Sequence, residues 1–376
     1  MLDLVLRGAR VIDPSQNIDA HLDVGFADGK VAALAAAIDT PAAETRDVSG
    51  CVVSPGFIDM HAHVYWGATS ISIDGEQIAR RGGVTTMVDA GSAGPANFPG
   101  LRRYIIDPSP RRILAYLNVA YPGIFAYSKP VMVGECADLR LIDPIECVRT
   151  VGQHRDVIVG IKVRIGRVAS EANGSAALDM AFEVGDQTGL PVMVHVDHPP
   201  PQMRDVLRRL RKGDVLTHCF RPFPNTPQAP DGGIWQEVLE ARERGVFFDL
   251  GHGASSFGFE VAGAMLDKGF LPDAISTDIH VLNVDGPVFD LATTMGKFLA
   301  MGAGLHDVIS RVTAGPARGL NRPELGTLRP GAAGDATVYA LEQGSFQFTD
   351  CFGRVLSGSL RVRPSGVVSH GRWLED

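Results

Sequence analysis

Cysteine is scarce and unpatterned. Five occur in 376 residues, as Cys51, Cys136, Cys147, Cys219 and Cys351, with no CxxC pair. That excludes a disulfide framework and a cysteine-held zinc knot, and it points to a reducing compartment with buried thiols. Basic charge is also short. Thirty-five Lys and Arg against 43 Asp and Glu leave a net charge of −8, so nothing is in surplus to neutralise a phosphate backbone and nucleic acid is not an expected partner. No window approaches the roughly 20 apolar residues of a membrane span. The first residues, MLDLVLRGARVIDPS, carry charges at positions 3, 7 and 10 where a signal peptide needs an apolar core. A cytoplasmic protein without membrane attachment is expected. With 45% hydrophobic and only 21% charged residues, disorder and a coiled coil are excluded as well.

Glycine is abundant. Forty-three glycines and 24 prolines imply many tight connections between short elements. From residue 57 onward, eight apolar runs of strand length alternate with amphipathic stretches: FIDMHAH, GVTTMVDAG, RILAYLNVA, VIVGIKVRIG, LPVMVHV, DVLTHCF, GVFFDLGHG and AISTDIH. Near-continuous apolar strands separated by helices describe a parallel sheet covered on both faces, and eight units predict an α/β fold of the (β/α)8 TIM barrel type. Residues 2 to 54, and the chain beyond Leu320, return to short polar–apolar alternation. The expected organisation is a barrel over 55–316 and a small β-sandwich domain built from both termini, 1–54 and 317–376.

Between the third and fourth runs lies an extra segment, YPGIFAYSKPVMVGECADLRL. It follows a strand's C-terminal end, where barrel active sites lie, so Tyr121, Phe125 and Tyr127 are expected on a substrate-covering loop, with a plain surface insertion as the alternative. Asp143, Pro144 and Glu146 then read as a helix start: N-cap, first-turn proline and capping-box acid.

His61 and His63 stand two apart on the first barrel strand, so both imidazoles share one face at the mouth of the barrel. Lys162 sits in the middle of VIVGIKVRIG, where an unpaired ammonium would cost several kcal/mol to bury. Either a carboxylate compensates it, or a neutral lysine adds carbon dioxide and becomes an anionic carbamate able to bridge metals. His195, His218 and Asp278 end the fifth, sixth and eighth runs, again on the catalytic face.

These residues, with the terminal segment GTLRPGAAGDATVY, resemble the amidohydrolase superfamily over essentially the whole chain. The resemblance implies two divalent ions, usually zinc: His61, His63 and Asp278 on one, His195 and His218 on the other, carboxylated Lys162 between them. It also implies a hydrolytic enzyme using a hydroxide held between the metals, with Asp278 as the catalytic acid–base. GIKVRIG, DLGHGASSFGFEVAGAML and FLPDAISTDIH carry a closer likeness to bacterial deacetylase and dihydroorotase-like members. That implies hydrolysis of an acyl ester or amide of a small carboxylic acid, such as an acetylated α-hydroxy acid like acetyl-mandelate. A cyclic-amide hydrolase of the dihydroorotase or hydantoinase kind and an N-acyl amino acid deacylase are the alternatives. A non-catalytic binding or assembly protein is a remoter one, since such relatives lose ligands that this chain keeps. Dihydroorotases carry an arginine two residues after the second histidine, where this chain has Tyr65.

Arg164 shares a strand face with Lys162 and is expected either to bind a substrate carboxylate or to pair with a barrel acid. Tyr65, His252 and His280 are expected at the substrate, with a structural role as the alternative for both histidines. Asp59 is expected to orient a metal histidine. Ser255 and Ser256 lack the GxSxG elbow of a serine nucleophile. The expected partner is a small, anionic molecule, and a homo-oligomer is compatible with the sequence.

Overall fold

The N-terminal run forms paired strands because its alternating residues bury one face. The computed structural model describes residues 1–374, so the last two residues of the expected terminal domain lie outside it. Strand β1 (Leu2–Asp13) pairs antiparallel with β2 (Ile18–Ala27), which pairs with β3 (Lys30–Ala35). Strands β4 (Ala42–Asp47) and β5 (Val52–Pro55) run parallel to β1.

One residue later the chain changes sheet. Strands β6 (Phe57–Ala62), β7 (Val84–Ala90) and β8 (Arg112–Asn118) are joined in parallel. A two-stranded hairpin, β9 (Ala126–Tyr127) and β10 (Met132–Val133), interrupts them. The parallel order resumes with β11 (Ile158–Ile165), β12 (Val192–Val196), β13 (Val215–Leu216) and β14 (Phe247–Phe248). Every residue of β6, β7 and β11 is buried, as strands covered on both faces require. Helices such as Pro144–Gln153, Ala176–Thr188 and Leu291–Ala300 alternate with them. At the first of these, Asp143 caps the N–H groups of Ile145 and Glu146 as expected, while the Glu146 carboxylate turns to Arg149 instead of back to the cap.

The eighth run is not a regular strand. Residues 274–279 bond in sequence to both edges: Leu250 and His252 donate to Ala274 and Ser276, Asp278 donates to His61, and His63 donates to Ile279. Its regularity is broken where Asp278 turns into the left-handed region, at φ 48°.

The C-terminal strands β15 (Ala336–Thr349), β16 (Val355–Ser369) and β17 (Arg372–Leu374) return to β5. Both ends of the chain therefore build one sheet, in the order β17–β16–β15–β5–β1–β2–β3. The strands of this terminal domain are hydrogen-bonded in one continuous path, in which β15 docks directly on β5. Thr337 fastens this sheet to the parallel one. Its hydroxyl accepts from Phe57 N–H and donates to the Gly83 carbonyl.

Cys136, Cys147 and Cys219 are buried, Cys51 and Cys351 are half-buried, and none is in a disulfide. Among the described residues no helix is long and apolar enough to cross a membrane.

Candidate active site

The parallel strands deliver one cluster at their C-terminal ends. His61, His63, Lys162, Arg164, His195, His218, Asp278 and His280 line a single small pocket, together with Ile71 and Tyr127. The ring of His61, on β6, and that of His63, the first residue after this strand, stand 5.7 Å centre to centre. His218 follows β13 with φ 62° and Asp278 has φ 48°. Non-glycine residues pay for this conformation, and here it swings both side chains inward.

The histidine tautomers are set from outside the pocket. His218 Nδ1 lies 2.7 Å from the Gly251 carbonyl, which can only accept, so Nδ1 carries the proton and Nε2 presents a lone pair. His61 Nδ1 lies 2.8 Å from Thr217 Oγ1 and 3.2 Å from Asp249 Oδ2. His63 Nδ1 lies 2.9 Å from Ser92 Oγ. The inner nitrogens then converge on one carboxylate. Asp278 Oδ1 is 3.3 Å from His61 Nε2 and 3.1 Å from His63 Nε2, and Oδ2 is 4.0 Å from His218 Nε2. Ligand atoms of His61, His218 and Asp278 all lie within 4.8 Å of one another.

Burial keeps these rings neutral. It holds His61 and His218 well below the usual imidazole range and His63 at about 3, despite the opposing charge of Asp89. Neutral imidazoles with the outer nitrogen hydrogen-bonded are what a divalent ion requires, so these residues fit one. His195 lies edge-on to His218, with ring centres 4.5 Å apart. It belongs to the pocket, but among the described residues its ring nitrogens have no hydrogen-bond partner to fix them.

Lys162 is 1% exposed. Its Nζ lies 3.3 Å from His61 Nε2 and 3.4 Å from Met193 Sδ. No carboxylate forms an ion pair with it among the described residues, and burial lowers its pKa to about 8, with Asp278 pulling the other way. Gly91 makes room for it. A Cβ there would stand 2.7 Å from Lys162 Cβ and Cγ.

Several expectations need correction. Tyr65 does not face the pocket; its hydroxyl donates to the Asn97 carbonyl at 2.9 Å, because the chain leaves β6 at His63 and the strict alternation ends. His252 is also elsewhere. Its Nδ1 bonds to the Gly253 carbonyl and its Nε2 meets Lys297 Nζ at 2.7 Å, since the turn at Gly251 sends the ring towards helix Leu291–Ala300. Arg164 does line the pocket, yet its guanidinium also meets the buried Glu135 at 3.5 Å and lies over the Tyr127 ring. Asp59 accepts from Thr277 N–H and hydroxyl, so it braces the residue before Asp278 more than it orients a histidine. Of the aromatic loop residues, Tyr127 lines the pocket, whereas Tyr121 and Phe125 are exposed.

His280 faces inward with the opposite tautomer. Leu282 N–H donates to its Nδ1, so Nε2 carries the proton and can donate to a substrate oxygen. Asp249, Thr217 and Ser92 were missed by sequence reasoning. Asp249 stands in DLGHG on the seventh run, and strand alternation could have flagged it; the two hydroxyls carried no such signal.

A hydrolase whose chemistry sits at the C-terminal ends of parallel strands is the class that this fold and pocket define. The description "Amidohydrolase family" matches residues 52–373. Deacetylase Atu3266 of Agrobacterium fabrum is 38% identical over 329 residues, covering 87% of this chain and 80% of that protein. Two solved structures align along the whole chain: an adenine deaminase (TM-score 0.93, 30% identity, 100% of both chains) and a dihydroorotase (TM-score 0.90, 34% identity, 100% of this chain and 99% of that one). The chain belongs to the amidohydrolase family and is a hydrolytic enzyme, and the family generally uses divalent metal ions.

Proposed function

We propose that this protein is a binuclear, zinc-dependent deacylase that cleaves an acetyl or similar acyl group, as ester or amide, from a small carboxylic acid. One observation carries the reading: three outward-anchored histidines converge on Asp278 beside a buried lysine that forms no ion pair with a carboxylate among the described residues. His61, His63 and Asp278 would hold one ion, His195 and His218 the second, and Lys162, as its carbamate, would bridge them. The relative named deacetylase supports the acyl substrate. The eight-unit barrel over 55–316 and the terminal domain from 1–54 and 317–376, its sheet closing on itself as a sandwich, are part of the same proposal.

When bound, the metal pair polarises the acyl carbonyl and makes water nucleophilic near neutral pH. The chain's own groups do the rest. Asp278 takes the attacking water's proton on a carboxylate oxygen and returns it to the leaving oxygen or nitrogen. His280 donates from Nε2 to an acyl oxygen, and Tyr127 covers the pocket and limits water.

A panel of acetyl esters of α-hydroxy acids, N-acetyl amino acids and dihydroorotate, run with metal content quantified on the same sample, tests this. Turnover of acetylated acids above the cyclic amide is expected. Preference for dihydroorotate would replace the reading with cyclic-amide hydrolysis, which the outward turn of Tyr65 and the lack of an arginine there already disfavour.

A further inference from the structure

The turn Gly251–His252–Gly253 follows the seventh run and is not among the residues that line the catalytic pocket. It nevertheless stands against two that do. The Gly251 carbonyl, 2.7 Å from His218 Nδ1, is the acceptor that keeps the proton of that ring on its outer nitrogen. Both glycines hold left-handed backbone, at φ 48° and 57°. A Cβ on Gly251 would stand 2.8 Å from His218 Nδ1, and one on Gly253 would stand 2.6 Å from Asp278 Oδ2. A side chain is thus barred at both positions, and glycine leaves the backbone free to move unless other contacts hold it.

Two sets of bonds hold this turn. Gly251 N–H donates to the Ser276 hydroxyl, His252 N–H to the Ser276 carbonyl and Gly253 N–H to the Thr277 carbonyl, which ties the turn to the eighth run on its sheet side. The second set runs away from the sheet. His252 Nδ1 lies 2.9 Å from the Gly253 carbonyl, which only accepts, so Nδ1 carries the proton and Nε2 takes a hydrogen bond from Lys297 Nζ at 2.7 Å. Lys297 also donates to the Pro287 carbonyl at 2.7 Å, and the His252 ring packs on Phe257 with centres 4.6 Å apart. Both His252 and Lys297 are fully buried. Polar groups buried this deeply add little net stability over well-packed apolar ones. Their hydrogen bonds do, however, fix position and direction.

We propose that His252 is a positioning residue, pinned by Lys297 to helix Leu291–Ala300, and that it holds the glycine turn where it keeps the His218 lone pair and the Asp278 carboxylate aimed into the pocket. This rests on the roles given to His218 and Asp278 above.

Three variants separate positioning from a merely structural role. His252→Phe keeps a ring against Phe257 and removes both hydrogen bonds, Lys297→Met removes the anchor alone, and His252→Gln keeps an acceptor for Lys297. Each is compared with the wild type at full metal loading by kcat and KM for the acetylated acid that the wild type turns over best, and by melting temperature. The visible spectrum of the cobalt(II)-loaded protein reads ligand geometry without any substrate. In His252→Phe and Lys297→Met, kcat is expected to fall about ten- to hundredfold while KM stays within about twofold. The cobalt bands should change in both, and His252→Gln should recover part of the lost kcat. Lys297→Met decides alone where His252→Phe does not fold. Unchanged kcat and cobalt spectrum in Lys297→Met, whatever its melting temperature, overturns the proposal; so does a loss confined to KM, or a His252→Gln as impaired as His252→Phe. A wild type that hydrolyses no acyl compound sinks the deacylase reading alone, because the cobalt spectra still decide whether His252 positions the centre.

Discussion

Two buried lysines, each touching a histidine, sit in different parts of the molecule and have opposite surroundings. Lys297, 0% exposed on helix Leu291–Ala300, has its Nζ 2.7 Å from His252 Nε2 and 2.7 Å from the Pro287 carbonyl. Two good acceptors satisfy it, and the pair is closed off beside Phe257. Lys162 has a longer contact with His61, a thioether and an open pocket. Burial depresses both pKa values, to about 7 for Lys297 and about 8 for Lys162. Burial alone therefore does not set the two lysines apart; the unfilled hydrogen-bond set of Lys162 does.

The sharpest way to break this contrast is to remove each amine. Lys162→Ala should lose the bound metal and with it nearly all activity, while Lys297→Met should keep the wild-type metal stoichiometry, both read by elemental analysis. Bicarbonate should also speed reconstitution of wild-type apoprotein and leave Lys162→Ala unmoved. Equal metal content in the two variants would erase the distinction.

Asp278→Asn is the next largest effect: turnover should fall about 10²- to 10⁴-fold with metal retained, and near-normal turnover would remove its proton-transfer role. Gly253 probes the same carboxylate from behind. Its φ is +57°, and a Cβ there would stand 2.6 Å from Asp278 Oδ2, so Gly253→Ala should displace that oxygen and cost turnover about 10²-fold. Unchanged kinetics would mean that Asp278 tolerates displacement.

The smallest effect concerns Lys297. Its pKa falls from an ordinary 10.5 to about 7 on burial, against the pull of Asp350 and Asp290. Between those values the unfolded chain binds a proton that the folded chain does not, so this group's contribution to stability rises with pH across the window. Against Lys297→Met, wild-type stability should improve from pH 7 to pH 10 in denaturant melts. A constant difference between the two proteins would show that Lys297 keeps its proton when buried.

The strands were legible because apolar runs bounded by glycine are a local property. The first five runs appear as regular strands, whereas the sixth and seventh shrink to two residues and the eighth to single bridges. There the backbone gives up regularity to turn His218 and Asp278 inward, and apolar pattern carries no trace of that trade. The inward residues of the first and fourth runs were readable from strand alternation. Tyr65 and His252 were misplaced because alternation was extended past the points where the strands end. Thr217 and Ser92 went unnoticed because their roles depend on which histidine lies across from them, a relation between distant segments.

Asp59 and Thr277, 218 positions apart, join the first parallel strand to the residue before Asp278. The seam therefore closes only when the first and last runs of the parallel sheet meet, and the backbone that carries Asp278 is fixed by the same contact that joins them.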